Sequence, residues 1–170
     1  TIDRRDLERV HDPAYVERLF SEGLEAVLVS VFELVDEHGE YHRYDPTIAT
    51  EPLSKMFDGT LHGLAGTYQC GLEALKRGFC FYLGGGAHHG HYDFGHGFCV
   101  VNDSVIAMRK LQSEGRIRTA WVIDVDAHKG DGTAVLTEGD ESIVTLSVHM
   151  ARGWPLDLPE FDAEGRRHPS

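Results

Sequence analysis

The chain has 170 residues and a formal net charge of −12 at pH 7, which is the size of one domain and long enough to bury most of its apolar surface. The acidic balance, without any run of Lys and Arg, argues against a nucleic-acid binder, whose phosphate contacts need clustered cations; it suits a cationic substrate or partner, or plain solubility. No apolar run reaches a bilayer-spanning length, no basic-then-apolar signal segment follows Thr1, and three cysteines without metal-type spacing argue for buried thiols in a reducing compartment rather than a disulfide framework, so a soluble, cytoplasmic protein is expected, or a nuclear one in a eukaryote.

Asp12 before Pro13 opens a helix that runs to about Gly23, with Tyr15, Val16 and Leu19 on its inner face. His11, alone in front of that helix, reads as structural. Val27 to Val35 is apolar enough for either a strand or a buried helix. Glu37 to His42 reads as an exposed turn, whose two histidines have no neighbours to complete a metal site. From Thr60 to Lys76, the residues Leu61, Leu64, Ala65, Tyr68, Leu72 and Leu75 recur at three- and four-residue spacing and Gly78 follows, which predicts a helix. Gly63 and Gly66 inside it are expected to permit close packing on a sheet. Phe79 to Leu83 reads as a buried strand. Asn102 or Asp103 caps a helix through about Ser113, with Val105, Ile106, Met108 and Leu111 available to the core. Thr119 to Ile123 and Ser142 to Val148 are two further strands, separated by a short helix containing Ala134, Val135 and Leu136. From Met150 to Ser170 the chain reads as loop. Strands alternating with helices at this spacing predict βαβ units, a parallel sheet and right-handed crossovers, an α/β fold.

Two stretches carry the chemistry: Gly84-Gly85-Gly86-Ala87-His88-His89, and Ile123-Asp124-Val125-Asp126-Ala127-His128-Lys129-Gly130-Asp131-Gly132. Each follows a predicted strand, and in an open parallel sheet the loops at the C-terminal strand ends form the ligand crevice. Extended backbone alternates its side chains, so Asp124, Asp126 and His128 project to one face. Carboxylates and an imidazole gathered there need a partner if buried. A catalytic zinc takes carboxylate oxygen and histidine nitrogen and keeps a position open, which makes Asp126 and His128 candidate zinc ligands. Asp124 and Asp131 are then free to orient the tandem imidazoles of His88 and His89, giving two His-Asp dyads for proton transfer.

These stretches, with Gly97-Phe98-Cys99, Asn102-Asp103 and Ser147-Val148-His149 in order behind them, resemble the signature of the histone deacetylase family of zinc amidohydrolases, most of all its class IV branch and bacterial relatives. The match covers roughly residues 9 to 150. The resemblance implies a three-layer sandwich on a mainly parallel central sheet, as in arginases and deacetylases, with the family's first strand and helix falling before Thr1 and its C-terminal part falling after Ser170. It implies that His88 and His89 are the general acid/base pair, that Asp124 orients His88 and Asp131 orients His89, and that Asp126 and His128 bind Zn2+. Gly97 would offer backbone to the substrate and Phe98 would line a wall of the acyl-lysine tunnel. A structural monovalent cation, K+ in character, would be held by Asp124, Asp126, His128, Ser147 and Val148. His91 and His96 stand where the family varies in residue type; they inherit no role and read as rim residues.

The expected activity is therefore zinc-dependent hydrolysis of the amide of an N-acyl-lysine, on a peptide or protein, or of a similar linear amide such as an acylated polyamine. Competing readings are a two-metal hydrolase of the arginase type and a non-catalytic binding module on the same fold. The family's third zinc ligand, an aspartate, and its transition-state tyrosine find no match here, because Asp157 and Asp162 lie too close to the Ser147-Val148-His149 stretch. A catalytic domain about twice as long is the expectation.

Overall fold

The computed structural model describes residues 2–156. Its elements in order are α1 (Arg4–Glu8), α2 (Pro13–Leu19), α3 (Leu24–Val31), α4 (Lys55–Arg77), α5 (Asp103–Ser113), β1 (Ala120–Asp124), α6 (Asp131–Thr137) and β2 (Ile143–Ser147). The chain is a mixed α/β structure with a parallel sheet. Strands β1 and β2 pair in register from Ala120 opposite Ile143 to Asp124 opposite Ser147, and α6 makes the crossover between them.

Local sequence explains the helix ends. Asp3 and Asp6 form a reciprocal capping box on α1. Asp12 accepts from the Ala14 and Tyr15 N–H groups, with Pro13 at the first helical position of α2. The Asn102 side chain accepts from the Val105 N–H at the start of α5. Gly78 ends α4 in the left-handed conformation, at φ 82°.

The main core is helical. Leu7, Val16, Leu28, Val101 and Ile106 are fully buried, and side chains of this size contribute roughly 1.5–3 kcal/mol each on burial. Lys110 on α5 reaches the Asp6 carboxylate of α1 at 2.9 Å. Burial by itself would raise the Asp6 pKa, but the Lys110 ammonium and the Asp3 N–H outweigh it and hold the carboxyl below its ordinary range.

One open expectation is resolved and others change. Val27 to Val35 resolves as helix, α3, ending at Val31, because its apolar side chains Val27, Leu28 and Val31 fall on one helical face against the core. Helix α4 begins five residues before Thr60, at Lys55. Phe79 to Leu83 is not a strand among the described residues: Phe79, Phe81 and Leu83 are 74%, 73% and 90% exposed, and the run has the alternation of a strand without a hydrogen-bonded neighbour. Tyr82, on its other face, fills the space that Gly66 leaves on α4, while Gly63 faces open space. Of the cysteines only Cys99 is fully buried, and burial pushes its thiol up to about 11.

On the sheet, Trp121 and Ile123 of β1 and Val144 and Leu146 of β2 form an apolar face that is uncovered among the described residues. The opposite face meets α6, where Thr137 bonds Thr145 at 2.8 Å. The described part is thus two layers deep over the sheet. Asp157 and Asp162 lie outside the described residues.

Candidate active site

The site sits where β1 ends. Asp124 is the last residue of β1, the loop 125–130 follows it, and Asp131 opens α6. The glycine-rich stretch comes up beside this loop because Asp103, buried at the head of α5, accepts from the Gly86 N–H at 3.2 Å and the Ala87 N–H at 2.7 Å, and from the Thr67 hydroxyl of α4 at 2.5 Å. The Thr133 N–H then donates to the His88 carbonyl at 3.0 Å, joining the stretch to α6.

His88 and His89 lie side by side, their ring centroids 4.0 Å apart. His88 Nδ1 meets Asp124 Oδ2 at 2.6 Å, and His89 Nδ1 meets Asp131 Oδ1 at 2.5 Å. With Nδ1 of each ring donating to its own carboxylate, Nε2 is left as the nitrogen that can take or give a proton. Asp124 is fixed in turn through Oδ1, which accepts from the Asp126 N–H at 3.0 Å. Gly130 makes room for this dyad: a Cβ there would collide with Asp124 Oδ2 and stand 3.2 Å from His88 Nδ1.

Asp126 and His128 turn toward each other, with His128 Nδ1 3.2 Å from Asp126 Oδ1. His88 Nε2 is 3.8 Å from the same oxygen. Both side chains are about half exposed, 52% and 46%, and the His128 N–H lowers the Asp126 pKa, helped by the nearby imidazoles. Asp126, with His88 and Asp124, lines an open cavity of about 530 Å³ whose wall also includes Gly85, Gly86 and Thr133, within the size range of small-ligand pockets. The strand register sets Asp124 beside Ser147, and the Val148 N–H donates to the Asp124 carbonyl at 2.8 Å. Asp124, Ser147 and Val148, three of the five residues expected around a monovalent cation, are therefore neighbours. Gly97 and Phe98 are consecutive residues at positive φ, 53° and 65°. For phenylalanine this is an uncommon conformation that surrounding structure must enforce, and it holds the ring 55% exposed beside Phe32 and under the Arg43 guanidinium.

Three further residues belong to the site. His91, which reads as a rim residue from sequence, is buried with Nε2 3.1 Å from Asp131 Oδ2. His96 Nε2 lies 3.0 Å from the same oxygen, off the angle of a hydrogen bond and otherwise unpartnered. Burial would raise the Asp131 pKa, yet the three imidazoles outweigh it and keep the carboxyl far below the ordinary range. His89, His96 and Asp131 also bring ligand atoms within 4.8 Å of one another, a group able to hold a metal ion. Trp154 lies edge-on to His89, His96 and His128, at centroid distances of 4.5, 5.1 and 5.7 Å. The period-two spacing of His89 and His91 is a signal for the first of these; nothing in the sequence around Trp154 signals the last.

Residues 1–167 match the histone deacetylase domain. The chain belongs to the histone deacetylase family. An uncharacterised protein of Picosynechococcus sp. is 34% identical over 105 residues, 62% of this chain and 35% of that protein. The acetoin utilization protein AcuC of Bacillus subtilis is 42% identical over 67 residues, 39% of this chain and 17% of its own length. A probable deacetylase of Methanothermobacter thermautotrophicus is 33% identical over 79 residues, 46% of this chain and 24% of its own length. The matched part thus spans about a third or less of each of these relatives. Among the described residues no helix is long and apolar enough to cross a membrane.

This family is generally zinc-dependent, and the donors at the loop fit a zinc ion. Asp126 and His128 offer carboxylate oxygen and imidazole nitrogen in reach of each other, the donor types a catalytic zinc takes. Among the described residues no third donor completes a group with them.

Proposed function

We propose that this chain carries the catalytic core of a zinc-dependent deacylase that hydrolyses the amide of an N-acyl-lysine or a similar linear amide, within a three-layer deacetylase-like domain. The observation that supports the reading best is the pair of adjacent imidazoles, each bonded through Nδ1 to its own carboxylate, next to the Asp126–His128 carboxylate-imidazole pair. The likeness to a probable deacetylase of Methanothermobacter thermautotrophicus supports it as well.

In this reading Asp126 and His128 hold zinc, whose chemistry there is Lewis-acid polarisation of the amide carbonyl and a lowered pKa for water. His89, His96 and Asp131 are a poorer place for it, because both Asp131 oxygens are already engaged by imidazoles. Asp124 and Asp131 fix their rings and stabilise the imidazolium that forms when Nε2 takes the proton of the attacking water. The hydroxyl adds to the carbonyl carbon, the C–N bond breaks, and the histidine pair returns a proton to the departing amine. Gly97 and Phe98 would flank the acyl-lysine stem, and Asp124, Asp126, His128, Ser147 and Val148 would hold a structural K+. The acidic body, at −12, favours acylated amines whose neighbouring groups remain cationic, such as basic peptides and polyamines.

The test is steady-state hydrolysis by the full-length protein of acetyl-lysine peptides, myristoyl-lysine peptides and an acetylpolyamine, with zinc content measured. Zinc-dependent release of the free amine from at least one is expected. Zinc-loaded protein that hydrolyses none would overturn the reading in favour of a binding module.

A further inference from the structure

We propose that His91 and His96 are positioning residues, a pair of imidazoles that clamps Oδ2 of Asp131 so that Oδ1 stays directed at His89. This rests on the deacylase reading for its catalytic consequence, and on geometry alone for the clamp itself.

The two dyads are built differently. Asp124 turns one oxygen to His88 and the other to a backbone N–H, that of Asp126, so its orientation follows from the loop. Asp131 gives Oδ1 to His89 and receives His91 and His96 on Oδ2. Its second oxygen is thus held by side chains, and the carboxylate plane depends on them. A buried carboxylate left with one partner carries an unsatisfied oxygen at a cost of about 1–3 kcal/mol or more, and it relieves that cost by rotating toward whatever donor is near.

His91 is itself fixed as a rigid donor. Its N–H donates to the Phe94 carbonyl at 2.9 Å and its ring stacks on the Phe94 ring at 4.5 Å and 8°. Its carbonyl accepts from His11 Nδ1 at 2.7 Å, and His11 Nε2 accepts in turn from the Asn102 N–H at 3.1 Å. The buried His11 therefore ties His91 to the head of α5, the same point from which Asp103 holds the glycine-rich stretch. His96 reaches the same oxygen beside His91, their ring centroids 5.0 Å apart, and its ring also meets those of Phe94 and Trp154. Its Nε2 is buried, 3.0 Å from Oδ2 but without a well-aligned hydrogen bond, so a small ring rotation would complete the bond. A charge-assisted pair of this kind is stronger than a neutral one.

The experiment uses the full-length, zinc-loaded protein with His91→Phe, which keeps the ring stack and deletes the donor, and His91→Gln, which restores an N–H near the place of Nε2. His96→Gln and His96→Phe form the matching pair. Two readouts are taken: kcat and KM on the best acyl substrate, and the low-field proton of the short His89–Asp131 hydrogen bond in solution NMR, assigned by its loss in His89→Gln. We expect kcat to fall about 10-fold in His91→Phe, the lower end for deleting an outer partner of a catalytic group, with KM within twofold and most of the loss recovered in His91→Gln. The low-field proton should move in His91→Phe and stay in Asp124→Asn.

A folded His91→Phe protein with wild-type kcat and an unmoved proton overturns the proposal, as does a His91→Gln protein as impaired as His91→Phe, which would make the residue a packing element only. If His91→Phe does not fold, the His96 pair decides by the same criteria. Should the wild type turn over no acyl substrate while its low-field proton still depends on His91, the clamp stands and the deacylase reading falls.

Discussion

Gly132 lies against the peptide that follows His89: a Cβ at position 132 would stand 2.5 Å from the Gly90 carbonyl oxygen and 2.7 Å from the His89 carbonyl carbon. Both obstacles are backbone, so neither can swing aside as a side chain would. The first turn of α6 and the histidine stretch approach this closely because Asp131 must reach His89 from one and His89 must reach Asp131 from the other. Gly132→Ala should therefore destabilise the fold by about 2–3 kcal/mol, at the upper end for overpacking a tight site, and should lower kcat as well by displacing the dyad. Chemical denaturation together with steady-state kinetics checks this; unchanged stability in the alanine variant would contradict the close approach.

His11 gives a pH dependence with a definite sign. It is buried, its Nδ1 donates to the His91 carbonyl and its Nε2 accepts from the Asn102 N–H, so it is neutral in the fold. Burial pushes its pKa down to about 4 from an ordinary value near 6.5. The unfolded chain then binds the extra proton first as pH falls. The His11 contribution is fully present above about pH 6.5 and is lost progressively down to about pH 4, by roughly 3 kcal/mol in all. The stability gap between wild type and His11→Gln should narrow by that order between pH 7 and pH 4, measured by urea denaturation at each pH. A constant gap would show that His11 charges normally.

Much of the fold is legible in the residues, and the failures have physical reasons. Helix α4 is readable because its apolar positions from Leu61 to Leu75 keep helical spacing and Gly78 supplies the left-handed stop; its first turn, from Lys55, adds only Phe57 to the buried face and has no capping side chain. The run from Val27 is ambiguous because a short apolar stretch shows burial without showing period. Phe79 to Leu83 reads as a strand from composition, yet a strand also needs a neighbour for its N–H and C=O groups, and composition does not reveal the neighbour. Around the site, the carboxylates for His88 and His89 follow from the motif they resemble. His91 and His96 escape such reasoning because the resemblance assigns their segment no role, and their nearness to Asp131 Oδ2 appears only in the folded chain. Trp154 escapes because its role depends on how a loop returns over His89.

Phe98 offers a test of the substrate side. Its ring is 55% exposed at a positive φ and contacts Phe32 and Arg43 rather than the core. Phe98→Ala should leave stability within about 0.5 kcal/mol, as for other surface substitutions, while raising KM for an acyl-lysine substrate by roughly 10-fold, the loss of about 1.4 kcal/mol of apolar contact. A normal KM with lowered stability would instead make Phe98 a structural residue.

The most direct test of the account is turnover of the best acyl substrate by full-length His88→Ala and His89→Ala proteins whose zinc content is measured alongside. Two dyads working as acid and base predict that each substitution lowers kcat by about 10²-fold or more while zinc remains bound at the wild-type ratio, since Asp126 and His128 are untouched. Undiminished kcat in both zinc-loaded variants would contradict it.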